Sequence, residues 1–283
     1  MIYRTRRIPV AGGQLTIGVW GVEGGIPVLA VHGVTASHRA WEQVAERLPT
    51  GYTLIAPDLR GRGDSGDLPG PYGMAAHADD CAAILDALGV GRPVVVGHSM
   101  GAFVAVVFAD RYPDRVSRLV LVDGGPPLPP PPPGVTAEQQ LDAVIGPAAR
   151  RLSMRFESVE AYRAYWRAHP AFAEWTPAIE SYVDYDLTGE PPSLRSKVSL
   201  DAVRADSIDL YEHDTLPTAW KRLRHTAILL RAERGMLDET PPLYPDPDAL
   251  TNHLPVRTVP GTNHYTIVLG VPGAYAVAAT LAE

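Results

Sequence analysis

Pro93-Val94-Val95-Val96-Gly97-His98-Ser99-Met100-Gly101-Ala102-Phe103-Val104-Ala105-Val106-Val107-Phe108 is the stretch that decides the fold. The β-branched run before Gly97 reads as a short buried strand, and the run from Ala102 to Ala109 is compatible with a helix. A serine inside Gly-x-Ser-x-Gly, between strand and helix, has the setting of a nucleophile elbow. Its hydroxyl has to stand clear of the sheet edge to meet a carbonyl. The turn is therefore tight, and the serine backbone is held in an unfavourable conformation at roughly 1–3 kcal/mol. Because the helix begins at once, its free N–H groups and positive dipole end face any negative charge forming beside Ser99. Met100 N–H is thus one oxyanion-hole candidate. The competing explanation is a chance match in a chain with 26 glycines, and the flanking strand and helix weigh against it.

Outward from the elbow, apolar runs alternate with helix-like segments. Leu15 to Val22 follows an Ala11-Gly12-Gly13 turn and suggests an early hairpin. Strands are predicted at Pro27 to Val31, Thr53 to Ala56, Arg118 to Val122, Ala227 to Leu230 and Val256 to Val259, with the short apolar character of a mostly parallel sheet. Helical spacing marks Arg39 to Leu48, Met74 to Leu88, Met100 to Tyr112 and Ala274 to Leu281. The fold class is therefore α/β.

From Gly124 to about Trp220 the alternation stops and no strand is evident. This part begins with the proline run Pro126 to Gly134, extended and stiff, and continues in segments of helical spacing, Ala137 to Ile145, Val159 to Ala168 and Pro177 to Asp184. Residues 126–220 thus read as a helical cap, with 1–125 and 221–283 forming the core. Its aromatics would lie over the carboxyl ends of the sheet, where open α/β folds bind ligands, and Trp166 and Trp175 are candidate substrate contacts. Any single one of them is more simply explained as part of the cap's own core.

Composition narrows the partners. A chain of 283 residues with 46% apolar content can build one large α/β domain with an insertion. A net charge of −7 without a basic block beyond Arg4, Arg6 and Arg7 argues against nucleic acid. Cys81 is the single cysteine, which excludes internal disulfides and leaves no Cys/His cluster for a metal. Met1 to Val10 lacks a 7–15-residue apolar stretch and nowhere do 18 consecutive apolar residues occur, so a cytoplasmic protein is expected, and a monomer or homodimer is expected as its assembly.

The order of strand, His32-Gly33, Asp58-Leu59-Arg60-Gly61-Arg62-Gly63-Asp64-Ser65, Gly97-His98-Ser99-Met100-Gly101 and a late His264 resembles the α/β-hydrolase superfamily of capped esterases, along nearly the whole chain. The resemblance implies an eight-stranded type of sheet and a second oxyanion donor at Val34 N–H. It also implies substrate contacts at His32, Gly33 and His98, and no cofactor. His264 is the candidate base, because it follows the last strand and satisfies the order Ser, acid, His. Of the other histidines, His169, His213 and His225 fall in or near the cap, while His38, His77 and His253 read as helix-surface residues.

The acid departs from the commonest family pattern, since Gly235 occupies the usual slot after the seventh strand. Asp123, Asp238 and Glu233 are the substitutes. Asp123 is favoured, because some superfamily members, including the zearalenone lactonases, carry the acid after the sixth strand. These residues together predict a serine hydrolase acting on a small hydrophobic ester or lactone. Two alternatives remain: a carbon–carbon bond hydrolase of the meta-cleavage-product type, and a receptor-like relative that senses a ligand and turns it over slowly.

Overall fold

The structure is a computed structural model of the chain and describes residues 1–128, 133–136, 139, 146, 148, 150–251 and 253–283. Its centre is an eight-stranded sheet in the order β1-β2-β4-β3-β5-β6-β9-β10. The strands are β1 Tyr3–Val10, β2 Gly13–Gly21, β3 Ile26–Val31, β4 Tyr52–Pro57, β5 Val94–His98, β6 Arg118–Val122, β9 Ala227–Ala232 and β10 Val256–Val259. Within this sheet only the β1–β2 hairpin and the β2–β4 pair are antiparallel; its other pairings are parallel. The predicted hairpin and all five of the other predicted strands are present, the one at Val256 to Val259 as an edge strand.

The unbroken apolar runs of the central strands follow from burial on both faces. Val95, Leu119, Leu121, Leu29 and Val31 pack on one side, under helices α2 Met74–Ala87 and α3 Met100–Arg111. Val94, Val96, Val120, Val122, Val28 and Ala30 pack on the other, under α1 Glu42–Arg47 and the C-terminal helix Val271–Ala282. The two sets alternate along each strand, as period-2 side chains must. Helix α3 is buried from Met100 through Ala109, which explains a sequence without a polar face. Each fully buried aliphatic side chain here contributes about 1.5–3 kcal/mol.

After β6 the chain leaves the sheet and returns at β9. Among the described residues between them are helices Val159–Arg167, Pro177–Tyr185, Leu200–Glu212 and Thr215–Arg222. The helices predicted at Val159 and Pro177 are present; the one predicted at Ala137 to Ile145, apart from Gln139, and the middle of the proline run lie outside the described residues. Helix Thr215–Arg222 straddles residue 220 and buries Leu216 and Ala219 in the cluster under α3. The expectation of a strand-free insertion needs correcting. Two-residue strands β7 Leu187–Thr188 and β8 Arg195–Ser196 pair antiparallel, and Phe156 bridges Leu194. Strands this short carry no readable alternation, and nothing in their composition separates them from a loop.

Polar ties, the Arg62–Asp206 pair fully buried and the Lys197–Asp64 pair at the surface, hold this segment to the core. Tyr185 OH donates to Asp58 Oδ2 at 2.6 Å, Arg62 pairs with Asp206 at 2.5 Å, and Lys197 pairs with Asp64 at 2.7 Å. Burial opposes the charge on Asp206, but His77, Arg62 and the Gly73 N–H outweigh it and lower its pKa to about 2. His38 and His77 are therefore not surface residues. Both are fully buried, paired with Asp58 and Asp206, because these carboxylates come from loops and helices that local periodicity does not place. Among the described residues no helix is long and apolar enough to cross a membrane, and no group of His, Cys, Asp and Glu is placed to hold a metal ion.

Candidate active site

Ser99 sits between β5 and α3 with φ 55° and ψ −123°, the unfavourable backbone expected of an elbow. What holds it there is close packing with no room for side chains on either side. A Cβ on Gly97 would collide with the Gly101 carbonyl, and one on Gly101 would collide with the Val31 carbonyl. Ser99 N–H donates to Val122 O at 2.9 Å, which ties the turn to β6.

The imidazole of His264 follows β10 and donates from Nδ1 to Asp123 Oδ2 at 2.7 Å. Asp123 begins the loop after β6 at φ 45° and is fully buried. Its Oδ1 accepts from Ala232 N–H at 3.0 Å, and its own N–H donates to Leu230 O at 2.8 Å, so β9 clamps the carboxylate in place. This leaves His264 Nε2 as the ring nitrogen available to Ser99. Ser99 and His264 line one narrow cleft of about 40 Å³ with Gly33, Val34 and Tyr182. Met100, the first residue of α3, has an N–H with no intrahelical acceptor.

The other two candidate acids are engaged elsewhere. Asp238 accepts from Arg234 Nε and Asn263 Nδ2, both at 2.9 Å, and Glu233 accepts from Gly261 N–H at 2.8 Å. Asn263 also donates to Ala171 O at 2.9 Å, which ties the His264 loop to the segment above it.

Of the expected substrate contacts, Gly33, His98 and Trp166 line the cleft or the chamber beside it. His32 does not. It is fully buried, donating from Nδ1 to Gly33 O at 2.8 Å and accepting Leu59 N–H on Nε2 at 3.0 Å, so it shapes the loop that carries Val34. Trp175 is also displaced from the cavity: its indole donates to Glu180 at 2.9 Å and its ring packs on Phe172. The neighbouring chamber, about 270 Å³, is walled by Arg151, Tyr165, Trp166 and His169 on one side and by the loop after β9 on the other. It shares Ala148, Met236 and Tyr265 with the Ser99 cleft. Arg151, Met236 and Tyr265 were not singled out from the sequence. Tyr265 adjoins His264, a usable clue, whereas Arg151 and Met236 carry no local signal.

His98 has a role the motif alone does not disclose. Its Nε2 donates to the His264 backbone carbonyl at 2.8 Å, and the two rings lie 4.8 Å apart. Burial pushes the pKa of His98 down to about 3, with the adjacent His264 adding to the effect, and burial does the same to His32. Both rings are neutral when folded but take up protons near pH 6.5 when unfolded. Stability from these two sites is therefore complete above pH 6.5 and is lost as pH falls toward 3, at up to about 1.4 kcal/mol per pH unit for each ring. Urea unfolding at pH 7 and pH 5 is expected to give a clearly lower stability at pH 5, with His98→Gln flattening the dependence. Equal stability at both values would contradict neutral burial.

A family model described as the alpha/beta hydrolase fold matches residues 26–149. A 2-(acetamidomethylene)succinate hydrolase of Mesorhizobium japonicum is 30% identical over 267 residues, covering 92% of this chain and 88% of that protein. A crystal structure of E-2-(acetamidomethylene)succinate hydrolase superposes with a TM-score of 0.79 at 27% identity, covering 99% of both chains. Lipase LipV of Mycobacterium tuberculosis is 43% identical over 104 residues, 37% of this chain and 39% of its own. The elbow, the parallel sheet around it and a relative matched from end to end lead to one conclusion: this chain belongs to the α/β-hydrolase family.

Proposed function

We propose that this chain is a serine hydrolase that passes an acyl group to Ser99 and then to water, and that the leaving group is conjugated through a carbon–carbon double bond. The observation carrying this reading is the His264–Asp123 hydrogen bond of 2.7 Å, set beside the strained Ser99 in one cleft. Ser99 Oγ attacks the carbonyl carbon while its proton passes to His264 Nε2. Asp123 keeps the other nitrogen protonated and stabilises the imidazolium. The oxyanion rests on Val34 and Met100 N–H, each such donor being worth about 10²–10³ in rate. His264 then protonates the departing group, and water, deprotonated by His264, releases the acid. The segment between β6 and helix Thr215–Arg222 serves as the cap over this step.

The leaving group separates the two sequence-based readings. By its name, 2-(acetamidomethylene)succinate carries an acetamide on a carbon–carbon double bond next to a carboxyl group and contains no ester. That supports hydrolysis of a bond to a conjugated leaving group, the chemistry shared with carbon–carbon bond hydrolases, over hydrolysis of a simple ester. The lipase match, confined to 37% of the chain, supports the ester reading more weakly.

The test is kcat/KM for three substrates: p-nitrophenyl acetate, a vinylogous diketone acid, and (acetamidomethylene)succinate, with Ser99→Ala as the control. One of the two conjugated substrates is expected to lead. If the ester leads, the protein is a carboxylic ester hydrolase. If none is turned over, ligand sensing replaces hydrolysis.

A further inference from the structure

The chamber beside the Ser99 cleft holds a cation that the hydrolytic machinery leaves unused. Arg151 is 1% exposed. Its Nη1 donates to Asp186 Oδ2 and Tyr162 OH, both at 2.6 Å, and its guanidinium lies 4.9 Å from the centre of the Trp166 ring. Among the described residues its Nη2 has no acceptor. Asp186 already accepts from Arg151 Nη1, Tyr162 OH and Ser196 Oγ, and it makes no bond to Nη2. A guanidinium nitrogen left without a partner out of water is costly, and sites tolerate it where a ligand completes the bonding.

The surroundings favour a carboxylate as that ligand. Arg151 is the one arginine or lysine among the residues lining the chamber, and a single available nitrogen suits one carboxylate oxygen better than a multiply charged phosphate. His169, on the same wall, has its pKa lowered by burial and by Arg151, so it adds no second positive charge near neutral pH. The acidic member of the lining, Glu239, is exposed at the rim and accepts Leu237 N–H at 2.6 Å. The chamber is small and adjoins the Ser99 cleft, the two sharing Ala148, Met236 and Tyr265, so a molecule held at Arg151 borders the cleft.

We infer that Arg151 Nη2 anchors a carboxylate of the substrate, so that the substrates of this hydrolase are small acids whose acyl carbonyl is presented to Ser99. This rests on the hydrolase reading for the role of Ser99, but binding alone tests it. The experiment is calorimetric titration of Ser99→Ala protein with succinate and with its neutral diamide, succinamide, at pH 7. Charge-assisted bonding to Nη2 is expected to make succinate about 10- to 100-fold tighter than succinamide. Adding Arg151→Met is expected to abolish that preference while leaving succinamide binding in place, and Arg151→Lys to keep part of it. Circular dichroism confirms that each variant is folded. Should Arg151→Met fail to fold, the ratio in the parent and in Arg151→Lys carries the test. Equal binding of the two ligands, no binding of succinate at millimolar concentration, or an equal loss of both ligands in Arg151→Met overturns the inference, the last because it marks a purely structural arginine. No turnover of any substrate by the wild-type protein, with succinate preference intact, would sink the hydrolase reading alone.

Discussion

Ser99→Ala is expected to lower kcat by about 10⁶-fold on whichever substrate leads, with KM changed little. The size follows from the position of the hydroxyl. Ser99 is held at φ 55° by contacts that leave no space at Gly97 or Gly101, so no neighbouring side chain can move in to replace it. A residual rate of about 10³–10⁴ over water should persist, because the Val34 and Met100 N–H groups belong to the backbone and survive the substitution. Single-turnover measurement on the folded variant checks this. Retention of even about one per cent of wild-type kcat would remove Ser99 from the role of nucleophile, given the magnitude such a loss normally reaches.

Asp123→Asn should cost about 10⁴ in kcat, and the geometry says why. Asp123 Oδ1 accepts Ala232 N–H, so an asparagine there keeps its oxygen toward Ala232 and turns its NH₂ toward His264 Nδ1. His264 Nδ1 must then become an acceptor, which places the ring proton on Nε2. In that tautomer Nε2 cannot take the proton of Ser99. Asp238→Asn and Glu233→Gln touch no atom of the imidazole and should leave kcat within a few-fold of wild type. A pH profile of kcat/KM for all three variants separates the outcomes. Near-full activity of Asp123→Asn, with collapse of either of the others, would move the acid to the loop after β9.

Both expectations draw on features that were unequally visible in the chain. The elbow was legible because strand, turn and helix are adjacent in sequence and each leaves a local pattern: β-branched residues before Gly97, small and apolar ones after Gly101. His264 was legible from order alone. The acid was not, since three carboxylates stood within reach of a plausible loop and nothing local ranks Asp123 above Asp238. The choice lies in β9, whose Ala232 N–H and Leu230 carbonyl hold Asp123 while Asn263 and Arg234 occupy Asp238. His32 misled for a related reason. Its place beside the oxyanion loop is readable, but the direction of its ring depends on Leu59, 27 residues away.

The sequence by itself determined the α/β class, the parallel core, the elbow and the late histidine, because strand and helix periodicity and turn geometry are properties of short segments. Only the tertiary structure decided which carboxylate meets His264, 141 residues from it, that His77 is buried against Asp206, and that Arg151 lines a chamber joined to the Ser99 cleft at Tyr265. Those pairings are chosen by how separate segments pack on one another. The energy of a buried charge depends on the partner it finds there, and no single segment encodes that partner.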